Sequence, residues 1–485
     1  MTTTNGDASS SKSSQAEQIA RRAKKAFNVA SRNVASGAKG DETRKAVLFR
    51  LKSLLEEAHS EIQKANALDV EKAKQAGLSP SLISRLDLFS KPGKWQGMLD
   101  GISQVANLPN PLEQCTYAKR LAKPQSSEGE ALDLYRITCP IGVLLCIFEA
   151  RPEVIVNIAC LSIKSGNAAI LKGGKESQQS AAVLSEILRR ALEESQELPS
   201  DLIQTVQTRE DVNSLLRLDE YIDLIIPRGS NELVRNIQRS ASIPVMGHAD
   251  GLCSAYVHSD AEARSTIANL IDAKIDYPAA CNAVETILVH KSHLSSQGLL
   301  APIVKALIEA NVTTHLEEDC YKVLDDNIRS SSNVKQAQST DFDTEFLSLD
   351  VAIKSVDSLD DAIAHINEHG SHHTDVIFTA SSSSNNPSHN EAAATFVRSI
   401  DSANVYVNAS TRFADGFRYG FGTEVGISTG KMHARGPVGL EGLVTYKYVL
   451  QGYGGRQICA DFSAPESANG RSFAHEEINK QYPSL

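Results

Sequence analysis

The sequence lacks any apolar run long enough to cross a membrane. The longest run, Ile141–Phe148, is far shorter than the ~18 residues that a membrane-spanning helix needs, and Glu149 and Arg151 follow it directly. The chain also lacks an excess of positive charge. It has 49 Lys and Arg residues and 59 Asp and Glu residues, which give a net charge of -10. With no basic tract either, we expect a chain that binds neither a membrane nor nucleic acid.

Recognisable targeting signals are missing from the start of the chain. Its first sixteen residues, MTTTNGDASSSKSSQA, contain neither the apolar core of a secretory signal nor the arginines of a transit peptide. We interpret residues 1–16 as a disordered tail and expect a cytoplasmic location.

The eight cysteines include no CxxC pair. In a chain without a secretory signal they are expected to be reduced, and no spacing among them indicates a metal site. A reduced thiol can instead act as a nucleophile, although most cysteines in proteins are small buried apolar residues.

The pattern of apolar residues divides the 485-residue chain into several regions. Helical spacing from Gln15 to about Val105 predicts an all-helical opening, and residues 117–137 read as a polar hairpin with a turn at 125–129. Two series of short apolar runs alternating with helical stretches follow, from Ile141 and from about Ser254. This alternation predicts an α/β fold of two doubly wound lobes with parallel sheets, and residues 457–485 form a polar tail or arm.

Glycine-rich phosphate-binding motifs are absent, since neither GxGxxG nor GxxxxGK[ST] occurs. The most informative segment is Asp276–His290, DYPAACNAVETILVH, in which a turn of small residues presents Cys281 just ahead of a predicted strand. A thiol in such a loop is well placed for nucleophilic catalysis at an interdomain cleft.

Four blocks of sequence resemble the γ-glutamyl phosphate reductase family, a branch of the aldehyde dehydrogenase superfamily. They are PIGVLLCIFEARPEVIVNIACLSIKSGNAAILKGG from Pro140, DLIIPRG from Asp223, ACNAVETILVH from Ala280, and Val405–Lys447, which contains VNASTRFADGFRYGFGTEVGIST and KMHARGPVGLEGLVTYK. The resemblance runs from about residue 17 to 456 and implies an aldehyde dehydrogenase-like fold.

The resemblance implies that Cys281 attacks an acyl phosphate and forms a thioester, which NADPH then reduces. The backbone N–H of Cys281, Asn282 and Arg151 are the candidate donors to the oxyanion. Arg151 could instead be a structural partner of Glu149 or Glu153.

In aldehyde-oxidising relatives a glutamate about thirty residues before the nucleophile activates water. Here that stretch reads MGHADGLC, with His248 near the position and no glutamate, which favours a reductase. His248 could equally be a structural histidine.

The same resemblance implies an NADP-binding site. Lys172 corresponds to the lysine that binds the adenosine ribose, and Lys175 stands where NAD-preferring members carry a glutamate, so that NADPH is favoured. The alternative for Lys175 is an ordinary solvated lysine. Gly229 and Ser230 match a turn near the cofactor, and Glu345 matches the glutamate that binds the nicotinamide ribose.

For the substrate, the resemblance implies a pocket loop formed by Asn408, Ser410, Thr411 and Arg412. His433 and Arg435 could as well be structural.

The implied reaction is reduction of L-glutamyl 5-phosphate to L-glutamate 5-semialdehyde, the second step toward proline. An aldehyde-oxidising enzyme and an inactive relative are the alternatives. The implied domains are a cofactor lobe over 17–254 that carries the hairpin 117–137, a catalytic lobe over 255–435, and a return segment over 436–456. The hairpin and the strand region Gly439–Gln451 are expected to form a homo-oligomer, while dimer or tetramer, and channelling from glutamate 5-kinase, stay open.

Overall fold

A computed structural model describes most of the chain, and the fold below refers to these parts of it. The described residues are 15–33, 37–90, 93–123, 131–149, 151–206, 209–380, 390–463, 465–466 and 470–483. The tail expected over residues 1–16 lies outside them except for Gln15 and Ala16, which begin the first helix. The turn expected at 125–129 lies outside them entirely.

The chain opens with helices, as the apolar spacing predicts. They are α1 Gln15–Asn33, α2 Gly37–Glu57, α3 His59–Gln75, α4 Pro80–Leu86 and α5 Lys94–Asn107. The apolar positions of α2 at i, i+3 and i+4 spacing, from Val47 to Leu55, are buried. Helix α4 begins with an N-cap. The Ser79 hydroxyl accepts from the Leu82 N–H at 3.3 Å, and Pro80 occupies the first turn.

The predicted hairpin is present as two antiparallel strands. These are β1 Cys115–Ala122 and β2 Leu132–Pro140.

The first series of alternating elements forms a parallel sheet. Its elements are β3 Val143–Phe148, α6 Glu153–Lys164, β4 Ala168–Lys172, α7 Gln178–Ser195, β5 Ile203–Thr205, α8 Arg209–Leu215 and β6 Leu224–Arg228. The strand order in the described residues is β5-β4-β3-β6, with every pairing parallel. Strand β3 is buried at every position, as expected of a strand covered on both faces.

The second series forms a larger parallel sheet. Its elements are α9 Asn231–Ser240, β7 Cys253–Val257, α10 Ala263–Ile275, β8 Val284–His290, α11 Leu300–Glu309, β9 Thr313–Leu316, α12 Glu318–Lys322, α13 Asp326–Arg329, β10 Val334–Gln336, β11 Asp350–Val356, α14 Leu359–His369, β12 Thr374–Phe378, α15 Glu391–Ser399 and β13 Asn404–Val407. The strand order is β10-β9-β11-β8-β7-β12-β13, all parallel within the described segments. The predicted α/β fold with doubly wound parallel sheets is therefore confirmed.

The chain ends on short elements. They are the antiparallel pair β14 Gly426–Ser428 and β15 Gly436–Val438, then β16 Val444–Gly452, α16 Cys459–Ser463 and β17 Glu476–Glu477. Strand β16 pairs with β2, and β17 pairs with β1, which completes the antiparallel sheet β16-β2-β1-β17 among the described strands. Of the two possibilities for residues 457–485, the described part is an arm and not a free tail, because Asp461 and Arg471 are buried and β17 adds to the hairpin.

Two compact units make up the chain. The first comprises Met1–Gly229, Asn236–Val245 and Gly439–Leu485, and the second comprises Ser230–Arg235 and Met246–Val438. The first unit carries the four-stranded parallel sheet and the hairpin sheet, and the second carries the β7–β13 series. No helix in the described part of the chain has both the length and the apolar character needed to cross a membrane.

A buried carboxylate fixes the start of helix α7. Asp69 of α3 is 2% exposed and accepts hydrogen bonds from the N–H groups of Gln179 and Ser180, at 3.0 and 2.8 Å, and from the Ser180 hydroxyl at 2.8 Å. It therefore caps α7 from a neighbouring helix, as a side chain at the N-cap position does locally.

We expect Asp69→Ala to lower the free energy of unfolding of the first unit by about 1–3 kcal/mol, because a buried N–H group, a half-buried N–H group and a buried hydroxyl lose a charged acceptor. Urea unfolding followed by circular dichroism measures the change. Asp357→Ala is the control, since Asp357 is 77% exposed and pairs with Lys291 on the surface. Equal effects of the two substitutions would contradict the capping role.

Candidate active site

Cys281 lies in a tight turn between α10 and β8 of the second unit. The Ala280 N–H donates to the Tyr277 carbonyl at 3.0 Å, and the Ala283 N–H donates to the Ala280 carbonyl at 2.9 Å. The side chain is half-buried. The turn of small residues read from the sequence is thus present, and it leaves the thiol partly accessible ahead of β8.

Other cysteines differ from Cys281 in burial. Cys146, Cys160, Cys253 and Cys320 are buried, and burial raises the pKa of each of these thiols, for Cys320 to about 12. A thiol with a raised pKa is protonated at neutral pH and is a poor nucleophile. These four cysteines therefore serve packing.

The backbone of Cys281 packs directly against Gly251. A Cβ atom on Gly251 would lie 2.3 Å from the Cys281 carbonyl oxygen and 2.5 Å from its Cα. No side chain larger than hydrogen fits there unless the backbone moves. Next to this contact, the thiol of Cys253 donates to the Cys281 carbonyl at 3.2 Å.

Two histidines lie beside the thiol. One ligand atom each from His248, Cys281 and His373 lie within 4.8 Å of one another, and the two imidazole rings meet edge to face with centroids 4.9 Å apart. His248 is half-buried, and His373 is fully buried. All three residues precede strands that are neighbours in the sheet, namely β7, β8 and β12.

His373 was not found from the sequence. Its position immediately before β12 is visible in the sequence. That position indicates a place near Cys281 only when the order of the strands in the sheet is known, and the sequence does not give that order. Sequence reading did place His248 near the position of the hydrolytic glutamate in aldehyde-oxidising relatives, and His248 lies in this cluster.

Asn282 ties the Cys281 turn to the loop after β13. Its side-chain nitrogen donates to the Ala414 carbonyl at 2.9 Å and more weakly to the Arg412 carbonyl at 3.4 Å. Its buried Oδ1 atom has no hydrogen-bond partner among the described residues. Since both contacts use the nitrogen, the structure shows Asn282 as a positioning group for the turn.

Asp276 anchors the other end of the turn. Its carboxylate accepts from Arg412 Nε at 3.2 Å and from Arg418 Nη2 at 2.8 Å. Partial burial acts to raise the pKa of Asp276, but the two guanidinium groups outweigh it and hold the pKa below its usual value. Arg412, expected at the substrate, is therefore buried and paired with the Cys281 turn, and sequence reasoning missed Arg418.

A buried ion pair joins α10 to the start of strand β8. Lys274 and Glu285 are almost fully buried and their charged atoms are 2.7 Å apart. Lys274 also donates to the Val284 carbonyl at 3.0 Å. Burial raises the pKa of Glu285 and lowers that of Lys274. The charge of each residue opposes this effect, because it stabilises the charged form of its partner. The pair joins the two elements that flank the Cys281 turn.

Glu345 lies in the same unit and supports Gly251. Its carboxylate accepts from the Gly251 N–H at 3.0 Å and from the Asn231 side chain at 3.3 Å, and Asn231 also contacts Asp250. Burial raises the pKa of Glu345, an effect that these hydrogen bonds oppose. A ribose-binding role for Glu345 stays a prediction.

The structure does not bring Asn408 to the thiol cluster. Asn408 has a positive φ of 53° and its side-chain oxygen accepts from the Thr379 N–H at 2.9 Å, beyond the carboxyl end of β12. His373 precedes the amino end of the same five-residue strand, which spans about 16 Å. Ser410 and Thr411 are buried. The side-chain oxygens of Asn408 and Ser410 accept from nearby backbone N–H groups, and direct substrate binding by Asn408, Ser410 and Thr411 stays a prediction.

The residues expected at the cofactor lie mainly in the first unit. Lys172 is the last residue of β4, and exposed Lys175 begins the short turn before α7. Lys175 lines a cleft at the carboxyl ends of β4 and β5 together with Ile155, Gly173, Gly174, Gln178 and Thr205. Gly229 follows β6, and the Ser230 carbonyl accepts from the Val234 N–H at the start of α9.

Arg151 lies in the first unit, just before α6. Its carbonyl accepts from the Val154 N–H at 3.2 Å. Glu153, one of its two possible structural partners, lies 3.5 Å from the ammonium group of Lys94. A role for Arg151 at the oxyanion stays a prediction.

Comparison with known proteins assigns the chain to a family. A model of the aldehyde dehydrogenase family matches residues 2–321. A probable gamma-glutamyl phosphate reductase of Schizosaccharomyces pombe is 48% identical over 96% of this chain and 97% of the relative, and the gamma-glutamyl phosphate reductase of Saccharomyces cerevisiae is 43% identical over 96% and 98%. The chain therefore belongs to the aldehyde dehydrogenase family.

Within that family the sequence groups with the gamma-glutamyl phosphate reductases, which confirms the resemblance found in the sequence. The crystal structure of gamma-glutamyl phosphate reductase from Thermotoga maritima has a TM-score of 0.81 and 33% identity, covering 92% of this chain and 100% of that one. An acetylating aldehyde dehydrogenase from Geobacillus thermoglucosidasius, with a TM-score of 0.61 and 16% identity over 92% of this chain and 97% of that one, shares the fold.

We expect Gly251→Ala to lower the oxidoreductase activity of the chain by ~100-fold, because a Cβ at position 251 forces the Cys281 backbone to move and a shift of about 1 Å costs that much. Steady-state assays measure the effect, with thermal unfolding as a check on folding. Gly426→Ala is the matched control, since a Cβ there meets no atom within 4 Å. If both variants keep full activity, the contact does not position the thiol.

Proposed function

We propose that the chain catalyses the NADPH-dependent reduction of L-glutamyl 5-phosphate to L-glutamate 5-semialdehyde and phosphate, the second step of proline biosynthesis. The observation that carries the proposal is the half-buried thiol of Cys281 beside two imidazoles, in a chain whose full-length relatives are gamma-glutamyl phosphate reductases.

Cys281 is the proposed nucleophile. Its thiolate attacks the acyl carbonyl, so that a C–S bond forms while the bond to the phosphate oxygen breaks and phosphate leaves with the electron pair. An imidazole of His248 or His373 is near enough to take the thiol proton after a small movement. NADPH, when bound, supplies the hydride that reduces the thioester. Collapse of the reduced adduct releases the semialdehyde and returns the Cys281 thiolate.

Donors for the developing oxyanion are best sought on the turn itself. The backbone N–H of Cys281 is our first candidate there, while Arg151 stays a candidate only through the family resemblance. Asn282 is a weaker candidate than its place in the sequence suggests, because its side-chain nitrogen already donates to the Ala414 carbonyl. It acts on the reaction mainly through the position of Cys281.

The cleft at Lys175 is a suitable place for the nucleotide. Ile155, Leu171 and Val206 give it apolar walls, and Lys175 places a cation at its edge, which suits a nucleotide that carries phosphate groups. Lys172 at the end of β4 is our candidate for the ribose. A cation at position 175 attracts the 2′-phosphate that distinguishes NADPH from NADH.

Loss of the thioester to water would waste the intermediate. His248 occupies the neighbourhood of the thiol, and no glutamate lies in the stretch Met246–Cys253 that corresponds to the hydrolytic base. This observation favours a reductase over the aldehyde-oxidising alternative.

An oligomer is the expected assembly, and strand β16 supports it. This strand lies at one edge of the hairpin sheet, and Tyr446, Tyr448 and Leu450 on it are each more than half exposed. Exposed apolar side chains at every second position of an edge strand suit pairing with a second copy. We propose that the hairpin sheet is the oligomerisation element.

The direct test of the reaction runs it in reverse. Purified protein is given glutamate 5-semialdehyde with NADP+ and phosphate, and NADPH formation is followed. The proposal requires that formation depend on phosphate. Oxidation that proceeds equally well without phosphate, with free glutamate as product, would establish the aldehyde-oxidising alternative.

We expect Cys281→Ser to lower turnover by more than about 100-fold while NADPH binding is kept, because an alcohol is a far weaker nucleophile than a thiolate at neutral pH. Turnover and cofactor fluorescence titration measure the two effects separately. Cys459→Ser is the control, since Cys459 is exposed and is expected to be silent. Retention of most of the rate in Cys281→Ser would remove this residue from the mechanism.

We expect Lys175→Glu to weaken NADPH binding by roughly 1–3 kcal/mol and NADH binding by less, because a charged contact to the 2′-phosphate becomes a repulsion. Dissociation constants for both cofactors are measured on one preparation. Lys305→Glu, an exposed lysine on α11, controls for the change in net charge. An equal loss for the two cofactors would show that position 175 does not contact the 2′-phosphate.

A further inference from the structure

The cluster of His248, Cys281 and His373 has the composition of a metal site. Its ligand atoms, one thiol sulfur and two imidazole nitrogens, lie within 4.8 Å of one another. We propose that these three side chains bind a divalent transition-metal ion of the zinc class, and that the bound ion blocks the Cys281 thiol. The sequence does not indicate this site, because its members are far apart along the chain and meet only through the strand order β8-β7-β12.

Both histidines are oriented as metal ligands commonly are. His248 Nδ1 is 2.8 Å from the Ile427 carbonyl oxygen, which can only accept, so the ring carries a proton on Nδ1. His373 Nδ1 is 2.8 Å from the Thr374 hydroxyl. A hydrogen bond of this kind at the second ring nitrogen fixes the ring plane of a metal-binding histidine.

His373 supplies the strongest independent indication of a ligand. The residue is 0% exposed, and among the described residues its Nε2 atom has no hydrogen-bond partner. An unsatisfied polar atom in a buried position costs free energy, and coordination of a cation would satisfy it.

The donor set selects the class of ion. A thiolate with two imidazoles favours Zn²⁺, Co²⁺ and similar ions over Mg²⁺ and Ca²⁺, which prefer oxygen ligands. Tetrahedral coordination at the usual Zn–S and Zn–N lengths sets the ligand atoms about 3.3–3.7 Å apart, so the cluster must contract by ~1 Å. Rotation of the half-buried Cys281 side chain can bring the sulfur closer to the imidazoles, and the half-buried His248 can approach the fully buried His373. Three protein ligands leave the fourth position for water.

Metal binding has a defined chemical consequence. The Cys281 S–H bond breaks, its proton goes to solvent, and the sulfur lone pair forms the bond to the metal. That sulfur can then attack no carbonyl and reacts slowly with alkylating or oxidising agents. The ion would thus inhibit reversibly and protect the thiol, whichever substrate the chain reduces.

The experiment uses the reduced full-length chain in buffer free of added thiols and chelators. Co²⁺ is titrated in, and the thiolate-to-cobalt charge-transfer absorption in the near ultraviolet is recorded. We expect about one ion per chain, a tetrahedral visible spectrum, and loss of both signals when Zn²⁺ is added. Absence of the charge-transfer band at millimolar Co²⁺ would overturn the proposal.

Variants separate this site from adventitious binding. Cys281→Ser should abolish the charge-transfer band, and His373→Asn and His248→Asn should each weaken Co²⁺ binding at least tenfold. Cys459→Ser and His433→Asn, at exposed positions, are the controls and should bind as wild type does. A band that persists in Cys281→Ser, or unchanged affinity in both histidine variants, would place the metal elsewhere.

A second measurement avoids the risk that the buried His373 variant fails to fold. In wild type, the rate of Cys281 alkylation by iodoacetamide is followed by peptide mass spectrometry with and without Zn²⁺. We expect Zn²⁺ to slow alkylation of Cys281 at least tenfold and that of Cys459 much less. Equal slowing, or none, would overturn the proposal. Because neither measurement uses turnover, the result is independent of the phosphate-dependent assay that tests the proposed function.

Discussion

The contact between Gly251 and the Cys281 backbone is the constraint on which the second unit's site depends. Strands β7 and β8 are adjacent and parallel, and the segments that lead into them must pass each other at their amino ends. The passage leaves no space for a Cβ on residue 251. Glu345 then fixes Gly251 through its N–H, while the Lys274–Glu285 pair joins the elements that flank the Cys281 turn. The position of the thiol is therefore set by backbone packing at Gly251 together with the side-chain contacts that hold the turn.

The candidate nucleophile lies at the amino edge of a parallel sheet, which is unusual for an α/β fold. Ligands in open parallel sheets generally bind at the carboxyl ends of the strands, and the cleft at Lys175 in the first unit follows that rule. In the second unit, His248, Cys281 and His373 all precede their strands. The thiol is presented there by the turn of small residues before β8.

The sequence predicted those structural features that depend on residues close together in the chain. The buried stripe of α2, the buried run of β3 and the small-residue turn at Cys281 all depend on residues close together in the chain, and each was predicted. The partners of that turn could not be predicted, because His373 and Gly251 reach it only through the order of strands. The contacts of Asn408 were equally out of reach, since its place in a matching motif does not reveal that its side chain accepts from the Thr379 N–H beyond the carboxyl end of β12.

The cysteines differ in burial and therefore in reactivity. This difference underlies both the proposed nucleophile and the proposed metal site at Cys281. Cys146, Cys160 and Cys320 are fully enclosed, so burial raises the pKa of each thiol and suppresses its reactivity. Cys281 is half-buried and has two imidazoles beside it. The same two imidazoles complete a ligand set for a zinc-like ion. A site that makes a thiol a good nucleophile with neighbouring histidines thereby makes it a good metal ligand, and only the access of substrate or ion to the thiol decides between the two reactions.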